Sequence, residues 1–238
     1  MQMPLWDHLD ELRSRLIKVA AAVALATLFS FWGADWMLAW LLNPYPNATQ
    51  TLTSLQPAGV FIQSMRLALI CGVILTLPIL LYQIWAFVSP GLSKDERKVV
   101  VISLYAGTLL FAVGIAFAYY LVIPKALGFF WDYSRHFGIQ PSWTIDNYLN
   151  FILMFLLSFG IAFELPLVML LLVHFKILSL ETVSEKRPYI IVVLAIIAAI
   201  LTPPDVVSLI MLFIPLWLLF EISVRIAKLL DRRQKTED

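Results

Sequence analysis

Apolar runs alternate with short polar connectors along almost the whole chain. The runs cover 16–36, 67–88, 99–122 and 151–173, and two briefer ones follow at 189–202 and 206–220. A helix of about 21 residues rises about 31 Å, enough to cross a hydrocarbon core of about 30 Å. The last two runs, of about 14 and 15 residues, reach only about 21 Å each. The pattern predicts an all-α integral membrane protein, a single polytopic domain over 1–238. It has six transmembrane helices, of which the fifth and sixth are short. Alternatively, 189–220 forms one re-entrant hairpin beside four true spans.

The connectors carry the turn chemistry. Residues 4–15 place Leu5, Leu9 and Leu12 at three- and four-residue spacing, with charges between, which predicts a short amphipathic helix on the membrane surface. Residues 41–59 hold NPYPN and QPAG turn signals. Residues 60–66 are amphipathic, with Arg66 able to snorkel to the interface. Pro78 predicts a kink in the second span. The stretch 87–98, FVSPGLSKDERK, has Pro90 and Gly91 to end the helix before it. Asp95 and Glu96 follow, and carboxylates favour the start of the next helix. Pro124 closes the third span. Residues 123–150 then read as a partly helical connector anchored by Trp131 and Trp143. Residues 174–188 form another connector, Pro203, Pro204 and Asp205 a tight turn, and 226–238 a polar, frayed tail.

Charge fixes the sidedness. Of the 17 Lys and Arg, three lie near the N-terminus (Arg13, Arg15 and Lys18) and three in 89–98. Three more lie in 174–188 and five after 220, while the opposite connectors hold none, two and none. The excess of Lys and Arg marks the cytoplasmic side, so both termini are cytoplasmic. The N-terminal segment is acidic and lacks a small-residue cleavage site, so the first helix is expected to be retained. The chain is 61% hydrophobic and 14% charged, against about half and a quarter in soluble domains. A net charge of +1 gives no strong field toward nucleic acid. Cys71 is the one cysteine, so neither an intrachain disulfide nor a thiolate cluster is available. HExxH, GxSxG and Gly-rich phosphate loops are absent, and His8, His136 and His174 fall on different segments. No enzyme, metal or cofactor is expected.

Three groups of polar residues are out of place in such a chain. Glu164 lies mid-span, where an ionisable group is costly and is a functional candidate. It could carry protons, accept hydrogen bonds from a partner helix, or satisfy the backbone defect at Pro166, which has no N–H for the Ala162 carbonyl. The first of these would make the chain an ion- or proton-coupled transporter. Glu11 and Glu96 are cytoplasmic carboxylates in flanking segments. Each is either half of a weak surface ion pair or part of a site for arginines of a ligand, since guanidinium and carboxylate match as two forks. Thr202 and Asp205 end up below the usual interface if the last two helices are short.

Six ordered segments resemble one family: HLDELRSRL at 8–16, PILLYQIWAFVSPGLSKDERK at 78–98, FAYYLVIPKALGFF at 117–130, FGIAFELP at 159–166, EKRPY at 185–189 and LTPPDVVS at 201–208. Together they are similar to the TatC component of the twin-arginine protein translocase. The resemblance implies a multi-pass protein of the inner membrane that receives twin-arginine signal peptides of folded cargo. It also implies work with TatA- and TatB-type single-span subunits, self-association in a larger complex and contact with lipid. Glu11 and Glu96 then match the glutamates that meet the arginine pair, with Arg13, Phe87 and Pro90 in the surrounding motif. Glu164 matches a mid-membrane glutamate that meets a partner helix. Thr202, Pro203, Pro204 and Asp205 match the turn between the short helices. One position departs: Leu209 stands where some members have a glutamine on the sixth helix, which removes a polar docking point and leaves Thr202 alone there.

Overall fold

The computed structural model describes residues 5–44, 52–88, 94–175 and 177–237, of which 5–9, 85, 88, 94–98, 100 and 230–237 are described by backbone alone. Every regular element among the described residues is helical. In order they are α1 (Leu5–Trp32), α2 (Ala34–Leu41), α3 (Gly59–Leu75), α4 (Leu77–Val88), α5 (Lys94–Phe117), a π-helical turn (Ala118–Val122), α6 (Ile123–His136), α7 (Ile145–Phe163), α8 (Leu165–His174), α9 (Leu180–Glu185), α10 (Arg187–Leu201) and α11 (Val206–Glu237).

Four helical runs are long and apolar enough to cross a membrane: Asp10–Trp32, Val101–His136, Ile145–His174 and Val206–Leu229. The bent pair Gly59–Leu75 and Leu77–Ile84 makes a fifth, and the shorter apolar helix Arg187–Leu201 supplies a sixth segment.

Several boundaries differ from the sequence reading, each for a local reason. The amphipathic segment 4–15 and the first span are one helix, because neither Gly nor Pro interrupts Leu5–Trp32. The second span starts earlier, at Gly59, and bends by 48° between α3 and α4. Pro78 cannot donate to the Ile74 carbonyl, and the Thr76 hydroxyl donates back to Gly72 O at 2.8 Å, so the ladder opens there. Pro124 does not end the third span. The π-helical turn just before it takes up the misfit, and Pro124 falls in the first turn of α6, where a missing N–H costs least. The helix stops instead near Gly138, whose φ of 73° suits glycine and whose N–H bonds Arg135 O at 2.9 Å. The sixth helix does not finish at Phe220. Only the uninterrupted apolar run ends there, and the polar tail continues as helix to Glu237.

Contacts divide the chain into two compact units. The first comprises Met1–Asn43, Ala48–Thr108 and Ser142–Leu149. In it α1 lies along α3, closely enough that a Cβ on Gly72 would come within 2.8 Å of Thr27 N. Phe31 meets Phe61 edge-on, with ring centroids 6.1 Å apart. The connector before α3 is tied to the start of α7: Thr53 N–H donates to Trp143 O at 3.2 Å and Ile145 N–H to Thr53 O at 3.0 Å. Buried Gln63 donates to Asp146 Oδ1 at 2.7 Å, and buried Tyr148 donates its hydroxyl hydrogen to Leu41 O at 3.0 Å.

The second unit comprises Pro44–Asn47, Leu109–Pro141 and Asn150–Asp238. Its core is aromatic. Phe155 and Phe159 on α7 are fully buried. Gly114 lets α5 approach α7 so closely that a Cβ there would lie 2.5 Å from Phe159 O. Along the same unit, α8 and α10 both pack on α11.

Candidate functional site

Glu11 and Arg15 stand one turn apart on the same face of α1. Arg15 Nε donates to Glu11 Oε1 at 3.0 Å, and Nη2 donates to the same oxygen. Arg15 also reaches α4. Its Nη1 donates to Gln83 Oε1 at 3.1 Å and its Nη2 to Ala86 O at 2.9 Å. Gln83 and Ala86 share one face of α4 at three-residue spacing, and Ala86 is in its last turn, where a cation is favoured. A carboxylate is thereby tied through Arg15 to the last turns of α4, and Phe87 in that last turn is half-buried. Arg13, two residues from Glu11, is exposed. Glu96 lies in the first turn of α5. Its side chain, like all of Pro90, lies outside the described residues.

Sequence reasoning counted Arg15 only as a charge. Its four-residue spacing from Glu11 is a signal for an ion pair, but nothing along the chain signals the bonds to Gln83 and Ala86.

A second group of polar residues belongs to the other unit. Glu164 is the joint between α7 and α8: its N–H bonds Ile161 O at 3.1 Å and its carbonyl accepts from Val168 N–H at 3.0 Å. Pro166 opens α8. Glu164 Oε1 is buried without a hydrogen-bond partner among the described residues, so the carboxyl does not repair the Ala162 carbonyl through that oxygen. The Thr202 hydroxyl is buried and donates back to Ala198 O at 2.8 Å. Asp205 caps α11, its Oδ1 accepting from Ser208 N–H at 2.7 Å. Pro203 and Pro204 hold the turn between, and Leu209 N–H closes the first turn of α11 onto Asp205 O at 3.2 Å. Thr202 and Asp205 therefore spend these polar groups on their own helices.

The family model for the Sec-independent protein translocase protein (TatC) matches residues 7–215. The chain belongs to the TatC family. The TatC protein of Escherichia coli strain K12 is 39% identical over 225 residues, 93% of this chain and 86% of that protein. TatC of Azotobacter chroococcum is 37% identical over 93% of this chain and 88% of its own length. A crystal structure of the twin arginine translocase receptor TatC superposes with a TM-score of 0.82 at 34% identity, covering 93% of this chain and 98% of that one. A second, of the same receptor in DDM, gives 0.84 at 33% identity, over 92% and 99%. TatC membership makes this a multi-pass membrane protein of a translocase rather than an enzyme, and it sets aside the solute-transporter reading of Glu164.

Proposed function

We propose that this chain is the receptor and assembly core of an inner-membrane translocase for folded proteins. It takes the two arginines of a signal peptide at its cytoplasmic face through Glu11 and Glu96, with Arg13, Phe87 and Pro90 framing the site. The observation that carries this reading is the placement of Glu11. Through Arg15 its carboxylate is tied to the end of α4, from which the chain passes into the 89–98 stretch that contains Glu96. TatA- and TatB-type single-span subunits are the expected partners within the bilayer. Glu164 suits them, because its buried Oε1, unpartnered among the described residues, can accept a hydrogen bond from a partner helix. Thr202 and Asp205 contribute there by holding the α10–α11 turn in shape.

The test is binding of a twin-arginine signal peptide, and of its twin-lysine counterpart, to the full chain in lipid nanodiscs. Glu11→Gln and Glu96→Gln should each weaken the arginine peptide by about 1–3 kcal/mol, roughly the worth of a hydrogen bond to a charged group. They should affect the lysine peptide less, since lysine cannot form the paired fork. Unchanged affinity in both variants refutes the site.

A further inference from the structure

We infer that Arg15 is the positioning residue of the receptor site: it sets where the Glu11 carboxylate stands relative to the end of α4, and so governs discrimination between arginine and lysine in the ligand. The inference rests on the receptor reading above and names a residue that this reading does not use.

The geometry separates Arg15 from an ordinary surface partner. An exposed ion pair one turn apart on a helix contributes too little to fix a carboxylate by itself. Arg15 does more than pair. It makes four hydrogen bonds, two to Glu11 Oε1 and one each to Gln83 and Ala86. The last two cross to another helix, at separations of 68 and 71 residues along the chain. The Arg15 and Glu11 side chains are only 20% and 24% exposed, so water competes weakly for these bonds. A free glutamate samples many rotamers, and ordering it at the moment of binding would cost side-chain entropy. Arg15 meets that cost during folding, and preorganisation of this kind favours the ligand that needs a fixed geometry. That ligand is the guanidinium, a rigid planar fork. An ammonium, a point charge, tolerates a displaced carboxylate. Lysine in place of Arg15 keeps the charge but cannot hold Glu11, Gln83 and Ala86 in the same planar arrangement.

The experiment measures affinity for twin-arginine and twin-lysine signal peptides in nanodiscs. It uses the full chain, Arg15→Lys, Glu11→Gln and the double variant. Arg15→Lys should weaken the arginine peptide about tenfold and leave the lysine peptide nearly unchanged, so the selectivity ratio falls. In the Glu11→Gln background the same substitution should have no further effect, because neighbouring residues acting through one group are not additive. Gln83→Ala, which removes one anchor and keeps the Arg15–Glu11 pair, should lower the ratio about threefold. A variant that merely folds poorly loses active protein but keeps the ratio. An unchanged ratio in Arg15→Lys, or an equal loss in the Glu11→Gln background, overturns the inference while the receptor reading stands. An inert Glu11→Gln also overturns the inference, and the receptor reading falls with it only when Glu96→Gln is inert as well.

Discussion

Ser158 and Leu201 are joined by a 2.6 Å hydrogen bond, the hydroxyl on α7 donating to the last carbonyl of α10. Helix α10 is 15 residues long, about 22 Å, so it is too short to be held by both membrane interfaces. Ser158 supplies a fixed point at one end. At the other end Arg187, the first residue of α10, forms a two-pronged pair with Glu221 on α11, with Nε to Oε1 at 2.8 Å and Nη2 to Oε2. The short helix is thus attached at both ends to longer neighbours of its own unit.

Ser158→Ala should therefore destabilise the protein by about 1–2 kcal/mol, since it takes this partner from the carbonyl of half-buried Leu201. Thr108→Ala is the control, since that hydroxyl donates to Leu104 O within its own helix at 2.9 Å and that carbonyl keeps its backbone partner. The control should cost under about 1 kcal/mol. Thermal unfolding in detergent compares the two, and equal shifts would mean that the bond to Leu201 carries no tertiary weight.

At the opposite end of α10 the exposures of the partners set the scale. The Glu221 side chain is 13% exposed and that of Arg187 is 52%, so solvent screens part of the attraction. A double-mutant cycle with Arg187→Ala and Glu221→Ala should give a coupling of about 0.5–1 kcal/mol that shrinks in high salt. Arg187→Lys should recover less than half of it, because lysine cannot form the fork. A coupling near zero would leave Ser158 as the main attachment.

The apolar runs showed where the membrane helices lie, because twenty greasy residues have few other fates, and the shortness of 189–202 was plain in its length. What the runs did not show is how prolines are absorbed. Pro78 bends its span as expected, yet Pro124, equally a helix breaker on paper, is passed by way of a π-helical turn. The difference lies in backbone hydrogen bonding several residues upstream, which composition does not encode. The end of α11 was misread for a similar reason. Ile226 to Glu237 is polar, and polarity says where the lipid stops, not where the helix does. At the site, Glu11 was legible as a cytoplasmic carboxylate in a flanking segment, able to match an arginine. Its tether to Gln83 and Ala86 is a long-range contact made by an arginine that looked like one more cytoplasmic charge.

Gln63 offers a different measure of polar pairing. It is 3% exposed, donates to Asp146, and has its own Oε1 unpartnered among the described residues. Asp146→Ala should cost about 1–3 kcal/mol, since it strands the Nε2 end of a buried amide whose oxygen is already unpartnered among the described residues. Asp146→Asn keeps an acceptor oxygen and should cost less than half as much. Gln63→Leu in the Asp146→Ala background should restore most of the loss, because an apolar pair leaves nothing unsatisfied. Denaturation of the three variants decides the matter, and failure of the rescue would place the cost in packing rather than in hydrogen bonding.

Glu164 calls for the opposite outcome. Its buried Oε1 has no partner among the described residues, so the group is kept at a cost to stability. Glu164→Leu should therefore leave the isolated protein as stable as the parent or more so, by up to about 1–2 kcal/mol. Export of a folded reporter and co-purification of a single-span partner should both fall, while twin-arginine peptide binding at Glu11, in the other unit, stays within about twofold. Glu164→Gln, which keeps an oxygen and adds a donor, should retain more partner than Glu164→Leu does. A destabilised Glu164→Leu with unchanged partner recovery would make the glutamate a structural residue of the α7–α8 joint. A stabilised protein that has lost its partner would mean that the oxygen is held open for a bond supplied from outside the chain.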